Sequence, residues 1–148
     1  MQKRPRQRAD SVISESLVSA YEAAEYHVET TPPIVLRVGQ RNAALVDLLT
    51  RRGVSSGAFI TACNPFGQLL GTEENLRRNI ALRRDLHPHV CAMLPARGVD
   101  RAGRWPDEPG LFVLGCPQET LETIGARYRQ NALVVCGPDG VPRLLLLR

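Results

Sequence analysis

The sequence has little of several features that mark well-known protein classes. Of its 19 basic residues only Lys3 is a lysine, and aromatic residues make up only 5%. No apolar run approaches the ~20 residues that are needed to span a membrane. The charged N-terminus is not followed by the apolar segment of a secretory signal. We therefore expect a soluble, cytoplasmic protein with no membrane partner.

Several sequence motifs are also absent. The four cysteines are far apart and form no C-x-x-C pair, so zinc-ribbon spacing is missing. Each lies in or beside an apolar run, which predicts small buried residues. The segment from His87 to Cys91 lacks a fourth ligand, so we predict no metal site. No P-loop, G-x-G-x-x-G or G-x-S-x-G motif occurs, and the cofactor remains unknown.

The charge is concentrated at one end of the chain. The net charge is +4, and much of the excess lies in the first eight residues, MQKRPRQR. We predict that residues 1–9 form a basic disordered arm and that residues 10–148 form a single domain. A basic arm also suits nucleic acid, which keeps that partner open.

The spacing of apolar residues predicts an α/β (α+β) fold. We expect a mixed β-sheet with about four helices packed on it, ending in a β-hairpin. Helices are predicted over residues 10–25, 41–52 and 72–86 and after Pro117. Strands are predicted over residues 26–29, 34–38, 57–63, 89–94 and 111–115 and in NALVVC and RLLLL. Residues 95–110 are predicted to be a long irregular loop.

The predicted third helix begins with two acidic residues. Glu73 and Glu74 lie in its first turn, where the helix dipole favours negative charge. At i,i+4 spacing they would pair with Arg77 and Arg78, each pair contributing ~0.3–0.5 kcal/mol. Asn75 lies in the same turn. It is either a capping partner of Thr72 or a ligand contact at a helix N-terminus, which suits an anion.

Asn64 ends a buried run of small and apolar residues, FITACNPFG at positions 59–67. In open α/β sheets ligands gather where loops leave the carboxyl ends of strands. We therefore predict a binding site at Asn64 that includes Asn75. The alternative is a structural amide that ends a strand.

The loop between residues 95 and 110 is a second candidate. It holds the only tryptophan, Trp105, and the carboxylate of Glu108. Trp105 and the loop arginines would stack a base and hold a phosphate, while Glu108 would act as acid or base. The alternative is a solvated loop that Trp105 pins to the domain.

Gln130 and Asn131 are the third candidate. They lie between the fourth helix and a strand. If that strand runs antiparallel to residues 57–63, both amides reach the same end of the sheet as Asn64. Planar amides can read polar or base edges with paired hydrogen bonds. The alternative is a turn at a helix end, where asparagine is common.

These segments together resemble a known family. AFITACNP, EEN at 73–75, Trp105, Glu108 and RQNALV are similar to the bacterial domain-of-unknown-function family 3293, over about residues 17–147. The resemblance implies motif positions at Thr61, Asn64, Pro65, Asn75, Trp105, Glu108, Gln130 and Asn131. It implies no assigned activity. The chain departs from the family pattern at Cys63, Gly110 and Arg129, where an aromatic residue, serine and glycine are common.

Three functions remain open. The first is a pocket for a polar small molecule or nucleotide, with acid–base chemistry at Glu108 and few nucleophiles. The second is a nucleic-acid accessory protein that uses the arm and the loop arginines. The third is a protein-interaction module in which the amides are structural. The sequence leaves enzymatic activity and oligomeric state undetermined.

Overall fold

The computed structural model describes residues 11–148, and the predicted arm of residues 1–9 lies outside them. The described residues form four α-helices and seven strands. The helices are α1 (Glu15–Ala23), α2 (Ala43–Arg51), α3 (Thr72–Leu86) and α4 (Gln118–Arg127). The strands are β1 (Glu25–Val28), β2 (Ile34–Arg37), β3 (Gly57–Ile60), β4 (Ala92–Val99), β5 (Glu108–Leu114), β6 (Ala132–Cys136) and β7 (Arg143–Leu146).

The strands form one seven-stranded sheet in the order β2-β1-β4-β5-β3-β6-β7. The α+β class, the four helices and the final hairpin are confirmed. The six pairs of neighbouring strands in the described residues are antiparallel, so the sheet is not mixed in strand direction. Three of these pairs join strands that follow each other directly in the chain, and short connections of this kind impose antiparallel pairing.

Side chains cover the sheet on both faces. On one face α2 packs with Leu45, Leu48 and Leu49 against a cluster that includes Phe112. On the other face α3 and α4 pack against a second cluster around Val113. Phe112 and Val113 are fully buried neighbours, which is the alternation expected of a strand with both faces covered.

Local side-chain chemistry sets the starts of two helices. The side chain of Ser14 accepts a hydrogen bond from Leu17 N at the start of α1. Asn42 does the same for Leu45 N at the start of α2. Both are preferred N-cap residues. The N-cap of α3 is Gly71, without a side-chain hydrogen bond, so Thr72 is not the cap there.

The predicted loop over residues 95–110 is wrong. Strand β4 continues through Pro95 to Val99, and β5 begins at Glu108, so only residues 100–107 lie outside the strands. Pro95 is tolerated because β1 pairs only with Ala96–Val99, and the Pro95 carbonyl still accepts a hydrogen bond from Glu29 N. The strand predicted from residue 89 begins later, since a 3-10 turn extends α3 through His87–His89.

The expectation for Cys91 and both predicted i,i+4 ion pairs of α3 also fail, since Arg77 pairs with Glu74 and not with Glu73. Cys91 is exposed because it precedes β4, whereas the other three cysteines are buried. Arg78 does not pair with Glu74, which pairs instead with Arg77 at 3.1 Å. Arg78 turns inward and donates to the carbonyls of Ala62 and Tyr128 at 2.7 and 2.6 Å.

Candidate functional site

The candidate residues lie at one end of three adjacent strands, β5, β3 and β6. Strand β3 is flanked by β5 and β6, and both run antiparallel to it. The carboxyl end of β3 therefore lies beside the start of β5, where Glu108 stands, and the start of β6, which follows Gln130 and Asn131. The third candidate depended on an antiparallel relation between these two strands, and β6 does run antiparallel to β3.

Asn64 is the centre of this end of the sheet. Its backbone is left-handed, with φ 50°, a conformation that asparagine tolerates better than most residues. Its amide Nδ2 donates to Glu108 Oε1 at 2.8 Å. Its Oδ1 accepts hydrogen bonds from Leu70 N and Asn75 Nδ2, each at 2.9 Å. The buried run thus ends in an amide whose hydrogen bonds join a turn, a helix and a carboxylate.

Asn75 holds the Asn64 turn rather than the start of its own helix. Its Oδ1 accepts from Asn64 N at 3.0 Å, and its Nδ2 also lies 3.4 Å from the Leu70 carbonyl. Asn75 was expected either to be a capping partner of Thr72 or to contact a ligand. Its side chain makes no hydrogen bond with Thr72. Both polar atoms are engaged by the segment 64–70, and Asn75 does not line the adjoining cavities.

The carbonyl of Pro109 anchors the chain next to Glu108. It accepts hydrogen bonds from Thr61 Oγ1 at 2.7 Å and from Asn79 Nδ2 at 2.8 Å. The thiol of Cys63 also donates to it at 3.3 Å. Three side chains from the end of β3 and from α3 therefore fix the backbone from which the Glu108 side chain extends.

Glu108 itself is partly buried. Desolvation raises the pKa of its carboxyl, and the hydrogen bond from Asn64 acts in the opposite direction. Its Oε1 is held by Asn64, whereas no described residue donates a hydrogen bond to Oε2. A carboxyl whose protonated form is favoured by burial, with one oxygen held and the other unengaged, is suited to proton transfer.

Gln130 and Asn131 are both buried beside this carboxylate but have different contacts. Gln130 Nε2 donates to the Cys63 carbonyl at 3.0 Å and lies 3.3 Å from that of Tyr128. Asn131 Nδ2 donates to the Tyr21 hydroxyl at 3.0 Å, and its Oδ1 accepts from Arg148 at 3.0 Å. Gln130 thus fixes the end of β3, and Asn131 connects the sheet to α1.

Two small cavities meet at Glu108. One of about 110 Å³ lies between α1 and residues 98–106, and Trp105 forms part of its wall. The other, of about 60 Å³, extends between Asn64, Gln130 and Asn131. Both are smaller than the ~300–1,000 Å³ of typical ligand pockets. The two cavities share Glu108, Gly67 and the aromatic residues Tyr21, Tyr26 and Phe59.

An open surface groove adjoins the larger cavity. It measures about 690 Å³ and is lined by α1 together with Phe66, Arg104 and Trp105. Trp105 is 48% exposed and Phe66 is 42% exposed. The guanidinium of Arg148 stacks over the Phe66 ring at 3.9 Å. Trp105 is thus half-exposed and contributes to both the cavity and the groove, and its two predicted roles, ligand stacking and attachment of the loop to the domain, stay predictions.

The arginines of the loop lie beside acidic side chains. Arg97 is 3.5 Å from Asp107, Arg101 is 3.9 Å from Glu25 and Arg104 is 3.9 Å from Asp100. These distances indicate loose, exposed pairs of small energetic value. They still reduce the positive potential that a phosphate backbone would meet in this region.

The structure adds residues that sequence reasoning did not select. Tyr21 lies on α1, lines both cavities and accepts a hydrogen bond from Asn131. Phe66 lies in the turn after Asn64 with φ 53°. A helix-face pattern does not distinguish a core tyrosine from one beside a cavity, and nothing in the sequence pointed to Phe66.

Two kinds of feature are absent from the described part of the chain. Within residues 11–148, no three histidine, cysteine, aspartate or glutamate side chains are grouped so that they could hold a metal ion. No helix in the same range has the length and apolar character that crossing a membrane requires.

These features define an antiparallel α+β domain with a cleft at one end of the sheet. The cleft consists of the two cavities that meet at Glu108 and the groove that adjoins them. The model of a family of proteins of unknown function, DUF3293, matches residues 60–133, which is half of the chain. The chain belongs to this family, and the resemblance noted in the sequence is confirmed. The matched segment begins at the last residue of β3 and includes α3, β4, β5 and α4, and so most of the candidate residues.

The other comparisons add little. No curated protein matches the sequence. A solved structure that resembles part of the chain is a phage SAM lyase in complex with S-methyl-5'-thioadenosine. The two are 14% identical, with a TM-score of 0.30, and the match covers 62% of this chain and 88% of the phage chain. A TM-score of this size does not establish a shared fold.

Proposed function

We propose that the cleft binds a polar small molecule with a planar, nucleotide-like part, and that Glu108 exchanges a proton with it. The observation that carries the proposal is the state of this carboxyl. It lies in a partly buried cavity, Asn64 holds one of its oxygens, and no described residue engages the other. Burial brings the pKa of a carboxyl closer to neutrality, where acid and base forms can both be used.

Tyr21 would provide a second polar contact. Its hydroxyl oxygen accepts a hydrogen bond from Asn131, and none of the described residues accepts its proton. Burial raises the pKa of this hydroxyl, so it remains protonated near neutral pH. Tyr21 and Glu108 line the same two cavities, so a ligand that reaches Glu108 would also meet a hydroxyl donor.

The adjoining groove would take the remainder of the ligand, since the cavities at Glu108 hold only a few atoms. Exposed Trp105 offers an aromatic face on which a planar ring can stack, whereas one face of Phe66 is already covered by the Arg148 guanidinium. Arg104 lines the same groove and would meet an anionic group such as a phosphate. Asn64, Asn75 and Gln130 then act as positioning residues, and Asn131 orients Tyr21.

The test is a ligand screen followed by one substitution. Nucleosides, nucleotides and other polar metabolites are screened by thermal shift, and the compounds that raise Tm are measured by calorimetry. Glu108→Gln keeps the size of the side chain and an acceptor for Asn64 Nδ2 but cannot transfer a proton. We expect it to fold normally, with altered affinity or lost turnover.

The matched control is Asp107→Asn. It makes the same chemical change at the preceding residue, which is exposed and paired only loosely with Arg97. We expect this control to bind as the wild type does. Ligand binding and turnover that are the same in wild type and Glu108→Gln would show that Glu108 has no role, and would refute the proposal.

A further inference from the structure

The exposed face of α3 carries a short apolar seam. Leu76 and Ile80 lie one turn apart and are 60% and 62% exposed. Glu73 precedes this pair by three positions and Arg83 follows it by three, and both are exposed. Spacings of three, four and three residues place all four side chains on one side of a helix, in the pattern of a coiled-coil contact.

The charges at the ends of the seam have no partner within the described part of the chain. Glu74 pairs with Arg77, and Arg84 lies 3.5 Å from Asp85. Neither Glu73 nor Arg83 forms an ion pair with a described residue. The seam therefore has an apolar centre, an unpaired negative end and an unpaired positive end.

We propose that this seam binds the same seam of a second copy of the chain, with the two α3 helices antiparallel. A two-fold axis at the level of position 78 brings Leu76 of each copy against Ile80 of the other. The same axis brings each Glu73 against the Arg83 of the second copy. One symmetry operation thus satisfies the apolar pair and both charges, as a self-complementary interface requires.

The charges also select the direction of packing. A parallel arrangement would place Glu73 against Glu73 and Arg83 against Arg83, which is repulsive at both ends. The opposite face of α3 holds Asn75, Arg78 and Asn79, which contact the domain itself. Because a single helix buries less than a standard interface, the dimer is weak, and its formation does not depend on the proposed ligand.

The experiment uses charge reversal and mixing of full-length chains. Sedimentation equilibrium of the wild type from micromolar to near-millimolar concentration is expected to show a monomer–dimer equilibrium. Glu73→Arg and Arg83→Glu each turn two attractive contacts into two repulsive ones, and each is expected to weaken dimerisation roughly tenfold or more. An equimolar mixture of the two variants restores both attractions, so native mass spectrometry is expected to show mainly heterodimer.

The matched control is Glu74→Arg, which makes the same change at the next residue but off the seam. It is expected to dimerise as the wild type does. Circular dichroism and thermal melting check that each variant is folded, and Leu76→Asp, also exposed, is expected to give a folded monomer. A wild type that stays monomeric throughout, single reversals without effect, or a mixture no more dimeric than its components would each overturn the proposal.

Discussion

Replacing Asn64 with alanine removes the amide that connects three parts of the site. The alanine variant loses two hydrogen bonds accepted by Oδ1, from Leu70 N and Asn75 Nδ2, and the one donated to Glu108. Each contributes about 1 kcal/mol net, and more where a carboxylate is involved. Alanine is also less suited than asparagine to φ 50°, which adds up to about 1 kcal/mol.

The free energy of unfolding is therefore expected to fall by about 3–4 kcal/mol. For a domain of this size that corresponds to a decrease in Tm of roughly 10 °C. Urea titration followed by circular dichroism measures the change. Gln68→Ala is the control, because Gln68 is exposed in the same turn and its side chain makes no hydrogen bond with a described residue. Its effect is expected to be within about 0.5 kcal/mol.

The result that refutes this reasoning is an Asn64→Ala variant as stable as the wild type. It would mean that the turn does not depend on the amide, or that water replaces its three hydrogen bonds without loss. A large effect in Gln68→Ala as well would assign the loss to the turn in general rather than to Asn64.

Three further predictions concern stability. Burial raises the pKa of Glu108, so the stability linked to its protonated form is present at low pH and lost as pH rises through the folded-state pKa. In urea titrations, Glu108→Gln is expected to be as stable as the wild type below pH 4.5 and more stable at neutral pH. A stability difference that stays constant across pH would contradict this. Arg129 is exposed with φ 56°, and Arg129→Gly is expected to raise the unfolding free energy by about 0.5–1 kcal/mol, whereas a loss would argue against backbone strain. A Cβ at Gly57 would lie 2.6 Å from the fully buried Phe112 ring. Gly57→Ala is therefore expected to lower the unfolding free energy, measured by calorimetry, by about 1–3 kcal/mol. An unchanged unfolding free energy would show that the ring can move.

The sequence predicted helices better than strand ends. The bounds of α3 match because acidic residues mark its first turn and Pro88 follows its last. The extension of β4 through Pro95 was missed, since proline and glycine in this segment are typical of a loop. The strand continues there because β1 and β5 supply partners on both sides, and such partners are distant in the sequence.

The candidate residues were selected from the sequence, but their contacts were not. Asn64 and Asn131 adjoin apolar runs, where a polar side chain is conspicuous, and Glu108 was selected from the segment that also holds Trp105 and the arginines. Whether an amide faces a cavity or the backbone depends on the register of strands far apart in the chain. For that reason the turn contacts of Asn75 and the cavity position of Tyr21 came only from the structure.

The hydrogen bonds to the Pro109 carbonyl place a fixed segment of backbone only a few residues away from an exposed connection. Side chains from α3 and from the segment just after β3 fix the backbone beside Glu108. Trp105, three positions before Glu108, belongs to an exposed connection outside the strands. Changes in residues 100–107 are therefore expected to leave the carboxylate in place. If the cleft binds a ligand as proposed, exchanging residues 100–107 between family members is expected to alter which ligand binds while Glu108 keeps its place.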